Sequence, residues 1–541
     1  MPDLISPYGA DAPIVFMATD TDVHELHRLA PRLPSVKLNA YQHSDLMLLL
    51  TGAYTPLTGY MGQADYVSVL ENMRLHTGLT WMYPLTLPIP LRLAQALQIG
   101  QMIVLRDVYD ELLAVLTVTE IYRSQPDLEA KVLGAALDFN RQAQWYVAGT
   151  VAGVNASHRY DFVGDYRNPI QLREYFVERG WGRVVAYQTP QPLHRAALEF
   201  MLRAAVQNQA GLLIQPLTGG EQYLSTIYYP TIRSYQAVMS RLCKLTTVLS
   251  LSPNYPRHGG VREILHRAII SRNYGCSHLV VGGESGAQGE NRRGRDVLDG
   301  DVFHQVEPHI REIGVGLIPY PRMVYVEERA QYLPLEEAPK DTYKLVLTAD
   351  EIKRRLQANL PIPEWYTFPE VLAEMRVAYP PRQTSGFAIL MVGVAGVGKT
   401  TLASALSQAL GAIGRRKVSL LDSDLVTHYP NIADNMDAIT LLTSEVVKHQ
   451  GIAICAFDMP TIVARRIMRN AVQHFGGYFE IALTAPASVC AARLTKKIKA
   501  VQGSDEYEMP EQADLAVDTS LLNVAQAMQM IVLKLEQEGY I

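Results

Sequence analysis

Cysteine is scarce in this chain: four in 541 residues, at Cys243, Cys276, Cys455 and Cys490. They are widely scattered and have no C-x-x-C spacing, so neither a disulfide framework nor a zinc site is expected. Each lies in or beside an apolar or helical-looking stretch, which points to buried, reduced thiols. Charge of one sign is not in excess either. The net charge of −5 gives no electrostatic reason for a nucleic-acid or anionic-membrane partner. No apolar run reaches the length of a membrane span, and no basic segment followed by an apolar core opens the chain. A membrane partner is therefore not expected, and a cytoplasmic location is. No internal repeat or low-complexity tract appears.

What is present describes a globular chain, 48% hydrophobic and 19% charged, too long for one core and expected to form two to four domains. Residues 1–168 carry short apolar runs punctuated by Gly and Pro (MYPLTLPIPL, MIVLRDV, LLAVLTVTEIY), which predict a small β-rich domain. Over residues 169–347 strands alternate with helices. Gly182–Tyr187 precedes a helix through Leu202, and a helix over Arg262–Asn273 precedes a strand over Ser277–Val281, the pattern of a parallel α/β sheet. Residues 348–385 read as a helical, charged subdomain ending in a linker with Pro380 and Pro381. Residues 386–541 return to β-α alternation, with strands at Val418–Leu421, Ile452–Phe457 and Tyr478–Leu483 and a last helix to Leu535.

The segment Phe387–Ala403, FAILMVGVAGVGKTTLA, holds a complete G-x-x-x-x-G-K-T phosphate loop. It runs through Gly393, Val394, Ala395, Gly396, Val397, Gly398, Lys399, Thr400 and Thr401. The apolar run before it reads as a buried strand, and Leu402, Ala403, Leu406 and Leu410 after it have helical spacing. Glycines let backbone N–H groups wrap a polyphosphate, and the following helix adds the positive end of its dipole. Lys399 then reaches the β- and γ-phosphates, and the Thr400 hydroxyl sits on Mg²⁺. The expected ligands are ATP and Mg²⁺.

Several phrases resemble the fusion of ATP sulfurylase with adenosine-5′-phosphosulfate (APS) kinase. They are LISPYGA (Leu4–Ala10), TGAYTPLTGYMG (Thr51–Gly62), QTPQPLHRA (Gln188–Ala196), GGVREILHRAIISRNYGCSHLVVG (Gly259–Gly282), MVYVEERAQYLP (Met323–Pro334), IPEWYTFPEVLAEMRVAYPPR (Ile362–Arg382) and ADLAVDTSLLNVAQA (Ala513–Ala527). They span nearly the whole chain in the family's order. The resemblance implies a PUA-like β-rich N-terminal domain, a Rossmann-like nucleotidyltransferase domain and a C-terminal P-loop kinase domain, assembled as a homo-oligomer.

The residues that carry chemistry in that family are only partly kept. The sulfurylase phrase Q-T-R-N-P-x-H-R-x-H appears with Pro190 for its arginine, Gln191 for its asparagine and Ala197 for its second histidine. Gln188, His194 and Arg195 keep the pattern. The phrase G-R-D-H-A-G appears as Gly282-Gly283-Glu284-Ser285-Gly286-Ala287, without its arginine and histidine. Arg257 and Arg262 match family positions, and Arg262 reads equally as a solvated residue at a helix start. Losing one transition-state donor typically costs about 10²–10³ in rate. The middle domain is therefore expected to be a degenerate sulfurylase, with Gln188, His194, Arg195 and Arg257 marking either a vestigial pocket or satisfied polar groups.

In the kinase domain, Leu420-Leu421-Asp422-Ser423-Asp424 matches the family's L-D-G-D. Asp422 and Asp424 are candidates to orient Mg²⁺ or take the proton of an attacking hydroxyl, with helix capping as the plainer alternative. Asn435 matches an asparagine that contacts APS in the family, but Thr427, Asp437 and Ala438 stand where arginines are expected, and the stretch from Asp424 to Asn435 is shorter than in the family. Phe457 and Asp458 lie in ICAFDMP, where the family has a serine- or proline-bearing phrase, and with Asn435 and Lys496 are expected to bind substrate; Asp458 is an added carboxylate near the acceptor site, either a base or a cap for the next helix. Arg465 and Arg466 read as solvated. Arg493 with Lys496 and Lys497 resembles the family's basic lid over ATP. The leading function is phosphoryl transfer from ATP to the 3′-hydroxyl of APS. The alternatives are a bifunctional enzyme active in both sulfate-activation steps, and a nucleotide-sensing protein with little turnover.

Overall fold

The computed structural model describes residues 3–134, 144–155, 161–257, 260–282, 300–414, 416–422, 435–494, 507–510 and 512–541. The chain divides into two compact units, residues 1–347 with 363–375, and residues 348–362 with 376–541.

Among the described residues the first unit contains two five-stranded sheets and a three-stranded one. Its N-terminal sheet is built from β1 (Ser35–Lys37), β2 (Leu87–Ile89), β3 (Met102–Arg106), β4 (Leu112–Arg123) and β5 (Trp145–Gly153), in the order β1-β3-β4-β5-β2. Only β1 and β3 run parallel; the remaining pairs are antiparallel. Helices accompany this sheet that the strand-centred reading does not name. One of them, Ala40–Leu50, starts at a capping box of Asn39 and Gln42 and is buried over most of its length.

The next sheet is wholly parallel: β6 (Val184–Thr189), β7 (Gly211–Pro216), β8 (Thr247–Leu249), β9 (His278–Val281) and β10 (Gly316–Pro319), ordered β10-β9-β6-β7-β8. Helices Arg195–Gln207 and Val261–Asn273 follow β6 and precede β9. Strands β11 (Met323–Val326), β12 (Gln331–Pro334) and β13 (Lys344–Leu345) form the small antiparallel sheet.

Helix Val261–Asn273 is tied to the N-terminal region at both ends. Asn273 is fully buried; its amide donates to Ala53 O and Thr55 O at 2.8 Å, and its oxygen accepts from Tyr8 N–H at 2.9 Å. Arg262 is not a solvated helix-start residue. Its guanidinium donates to Val69 O and Leu70 O near the C-terminal end of helix Gln63–Asn72 and to Met82 O in the loop before β2.

The second unit holds a parallel sheet of β14 (Phe387–Val392), β15 (Val418–Asp422), β16 (Ile452–Ala456), β17 (Gly477–Thr484) and β18 (Leu515–Asp518), ordered β15-β16-β14-β17-β18. Strand β14 is buried on both faces, and its alternation divides it between two cores. Phe387, Ile389 and Met391 meet Leu402, Leu406 and Ile531, while Ala388, Leu390 and Val392 meet Ile439, Val447 and Met468. No helix among the described residues is long and apolar enough to cross a membrane.

Cys276, Cys455 and Cys490 are buried thiols; Cys243 is exposed, contrary to the sequence expectation, because it lies in a turn after helix Tyr228–Met239. Burial pushes the Cys276 and Cys455 thiols up to about 12, so both stay protonated and unreactive.

Candidate functional site

Strand β14 delivers the chain to the C-terminal edge of its sheet, where ligands of open parallel sheets bind. The loop that follows returns as helix Lys399–Ile413. Three glycines shape the turn, with φ of +155° at Gly393, +81° at Gly396 and +111° at Gly398. At two of them the space is closed as well. A Cβ on Gly393 would stand 2.6 Å from Leu483 O, and one on Gly396 would stand 2.7 Å from Cys490 O. A side chain at either position would push the loop off the cradle that phosphates need.

Lys399 is buried at the start of this helix and its ammonium group has three acceptors. They are Gly393 O at 2.7 Å, Val394 O at 3.2 Å and Asp458 Oδ1 at 2.7 Å. Thr400 is half-buried one residue on, and Thr401 is exposed. Val394 and Ala395 are exposed at the loop tip, while Val397 is buried beneath it. Two groups outside the motif hold the loop. The Tyr507 hydroxyl accepts the Gly393 N–H at 2.7 Å, and the Thr519 hydroxyl donates to Val397 O at 2.7 Å. Sequence reasoning missed both as site residues; Thr519 lies in a phrase that carries the resemblance, whereas Tyr507 has no motif around it. Burial raises the Tyr507 phenol above its ordinary range and keeps it protonated.

Asp422 ends β15 and is buried there. Asp424, Thr427, Lys496 and Lys497 lie outside the described residues, as do Gly283–Ala287 of the middle domain. Asp458 follows β16 and does not cap the next helix; Thr461 does that, accepting the Ala464 N–H for helix Ile462–Gln473. Phe457, expected to bind substrate, is instead buried in the core beside Leu390 and Val392. Asn435 caps helix Met436–Lys448 by accepting the Ala438 N–H at 3.1 Å. Arg493 lies against the loop, donating to Val397 O at 3.2 Å and Thr519 O at 2.8 Å. Arg466 is exposed, but Arg465 is not solvated. It is buried, paired with Glu480 at 3.1 Å and bonded to Met459 O and Glu508 O, so it anchors the turn after Asp458.

In the middle domain the retained family residues make contacts within the fold, though Gln188 Oε1 and Arg195 Nε are buried without a hydrogen-bond partner among the described residues. Gln188 is fully buried and donates to Gln215 Oε1 at 2.8 Å. His194 caps helix Arg195–Gln207, Nδ1 accepting the Ala197 N–H at 3.2 Å, and stacks on Tyr366. The Arg195 guanidinium lies 4.5 Å over the Phe368 ring. Arg257 is buried against Asp45, donates to the Tyr54 hydroxyl at 2.8 Å and lies 4.1 Å over Tyr255. Burial opposes its charge, but Asp45 and the surrounding phenols outweigh burial. A cation neutralised in this way contributes little to an anion pocket.

Family models match three consecutive stretches: a PUA-like domain over residues 5–156, ATP-sulfurylase over 165–378 and adenylylsulphate kinase over 385–518. The chain is 34% identical to a sulfate adenylyltransferase of Aspergillus fumigatus over 97% of both chains. It is 32% identical to a sulfate adenylyltransferase of Yarrowia lipolytica, over 95% of this chain and 96% of that one. A solved structure described as a hexameric APS kinase from Thiobacillus denitrificans covers 100% of both chains, with 37% identity and a TM-score of 0.82.

Proposed function

Since this chain belongs to the sulfate adenylyltransferase family, in its fusion with an adenylylsulfate kinase domain, we propose that its main activity resides in the C-terminal phosphate loop. That activity is transfer of the γ-phosphoryl group of ATP to the 3′-hydroxyl of APS. We assign the kinase to residues 386–541, the sulfurylase-like domain to 169–347, the β-rich domain to 1–168 and the connecting helical segment to 348–385. The observation that carries the reading is the loop itself, with closed glycines at 393 and 396 and a lysine whose ammonium is already held at the loop's mouth.

The residues suit ATP and Mg²⁺. A Cβ at Gly393 or Gly396 would meet Leu483 O or Cys490 O and displace the loop, and Thr400 with Asp422 would supply the oxygen donors that Mg²⁺ prefers. When bound, Mg²⁺ neutralises charge on the β- and γ-phosphate oxygens. Lys399 exchanges a protein acceptor for a phosphate oxygen and follows the γ-phosphoryl group through transfer. The N-terminal end of helix Lys399–Ile413 faces the same charge. Asp422, at a strand end on the same sheet edge, would help hold the metal or take the proton of the acceptor hydroxyl. Arg493, braced on Val397 O and Thr519, adds positive charge beside the loop.

The sulfurylase-like domain is assigned little adenylyl transfer, because Pro190 and Ala197 replace donors and His194 and Arg257 serve the fold. A bifunctional enzyme is the second reading, favoured by whole-length similarity to proteins named sulfate adenylyltransferase. The hexameric relative supports a homo-oligomer.

The test is ATP consumption with APS as acceptor, beside a panel of other nucleotides. APS is expected to be the preferred acceptor, and Lys399→Ala is expected to lower turnover by about 10²-fold or more. Equal rates in parent and variant, or no stimulation by APS, would overturn the reading.

A further inference from the structure

The ion pair between Lys399 and Asp458 has a consequence for how the metal is held, resting on the nucleotide reading above. In the order β15-β16-β14, the strand beside the phosphate-loop strand is β16, and Asp422 stands one strand further away on β15. Register pairs Leu390 with Cys455, so the C-terminal ends of β14 and β16 lie side by side and open into the loop and into Phe457-Asp458. Asp458 is thus the described carboxylate that touches the phosphate-binding lysine, at 2.7 Å.

The Lys399 ammonium has three protons and three acceptors, so an arriving phosphate oxygen must displace one of them. Two are carbonyls of the loop backbone. The third belongs to a side chain 64% exposed, whose charge water can solvate in place of the lysine. Asp458 is therefore the acceptor that yields. Its base stays in place, because Arg465 ties Met459 O and Glu508 O below it. Once released, the carboxylate faces the γ-phosphate end of the nucleotide and repels it unless a cation stands between them. In phosphate-loop enzymes that cation is the Mg²⁺ held by the loop hydroxyl, here Thr400, which keeps several of its waters.

We propose that Asp458 is the metal-positioning carboxylate of this kinase domain, exchanging Lys399 Nζ for the water shell of Mg²⁺ when nucleotide binds. Asp422, which with Thr400 supplies oxygen donors, stands one strand further from the loop than Asp458. Asp458 touches neither substrate nor the reacting atoms in this role; it couples nucleotide affinity to the presence of the metal.

The experiment is calorimetric binding of a non-hydrolysable ATP analogue to the full chain, with excess Mg²⁺ and with chelator. In the parent, Mg²⁺ tightens binding. In Asp458→Asn, affinity in chelator is expected to equal or exceed that of the parent, since a competing carboxylate is gone. The gain from Mg²⁺ is expected to shrink by about tenfold or more, a difference of about 1.4 kcal/mol. Asp458→Ser, checked for parental thermal stability, must behave alike. If both variants keep the full Mg²⁺ gain, Asp458 serves only as a partner of Lys399 and the proposal falls. Binding separates this test from the acceptor assay. An Asp458-dependent Mg²⁺ gain in a chain that does not phosphorylate APS upholds this proposal while overturning the acceptor. An unchanged gain in an APS-active chain does the reverse.

Discussion

Two buried residues of the first unit show how a polar side chain is tolerated or held. Glu129, buried between the Tyr66 and Tyr146 hydroxyls at 2.7 and 2.9 Å, has its pKa raised by burial even though both phenols donate to it. His266 lies among the rings of Tyr54, Trp81 and Tyr83, with Arg257 and Arg267 contributing positive charge. Burial first, and then those two guanidinium groups, hold its imidazole well below its usual value, so it stays neutral when folded. An unfolded histidine takes its proton near pH 6.5. The stability linked to His266 is therefore complete above that pH and is lost as pH falls below it, with a slope of up to about 1.4 kcal/mol per pH unit. His266→Phe keeps an aromatic ring and removes the proton. Thermal melts of parent and variant from pH 8 to pH 5 are expected to diverge below pH 6.5, the parent losing more. Parallel pH profiles would show that His266 does not carry this term.

At the scale of elements, strand β14, the phosphate loop and helix Lys399–Ile413 were legible because three independent signals coincide: an apolar run, glycines at fixed spacing and helical periodicity. The strands β15, β16 and β17 and the helix Val524–Gln537 were legible from the same alternation. The helices around the N-terminal sheet were not, because Ala40–Leu50 is buried nearly all round and shows little amphipathic pattern. Arg262 illustrates the harder case. A helix-start arginine is solvated by default, and only folding brings it two carbonyls of helix Gln63–Asn72 and a third from Met82 in the loop before β2. Arg262→Ala is expected to lower stability by about 1–3 kcal/mol, read in denaturant or thermal melts, because the carbonyls lose a charged donor. Arg262→Lys, which lacks the planar fork, should fall between. A variant as stable as the parent would make these bonds energetically idle.

For the whole molecule, family membership does not by itself decide catalytic competence. The order of domains follows the sulfate adenylyltransferases, and the parallel sheet β10-β9-β6-β7-β8 is built. A fold outlasts its site, since packing and chemistry depend on different residues. Pyrophosphate release from ATP plus sulfate, and ATP formation from APS plus pyrophosphate, are expected to be negligible. The Lys399→Ala chain is the right background, because it silences ATP use by the other domain. Robust ATP synthesis there would show that Gln188, His194, Arg195 and Arg257 suffice, and would favour the bifunctional reading.

The sequence by itself determined the phosphate loop, the run of strands and helices that carries it, and the family, because local periodicity and fixed glycine spacing are properties of adjacent residues. It also placed Pro190 and Ala197 where the resemblance expects an arginine and a histidine, side chains whose charge neither residue can carry in any fold. Only the tertiary structure decided the partners of the charges. Lys399 meets Asp458, Arg465 meets Glu480 and Arg257 meets Asp45 across separations that no local pattern spans. A charge left in water and a charge neutralised in a core read alike in sequence, because the partner that decides between them arrives by folding.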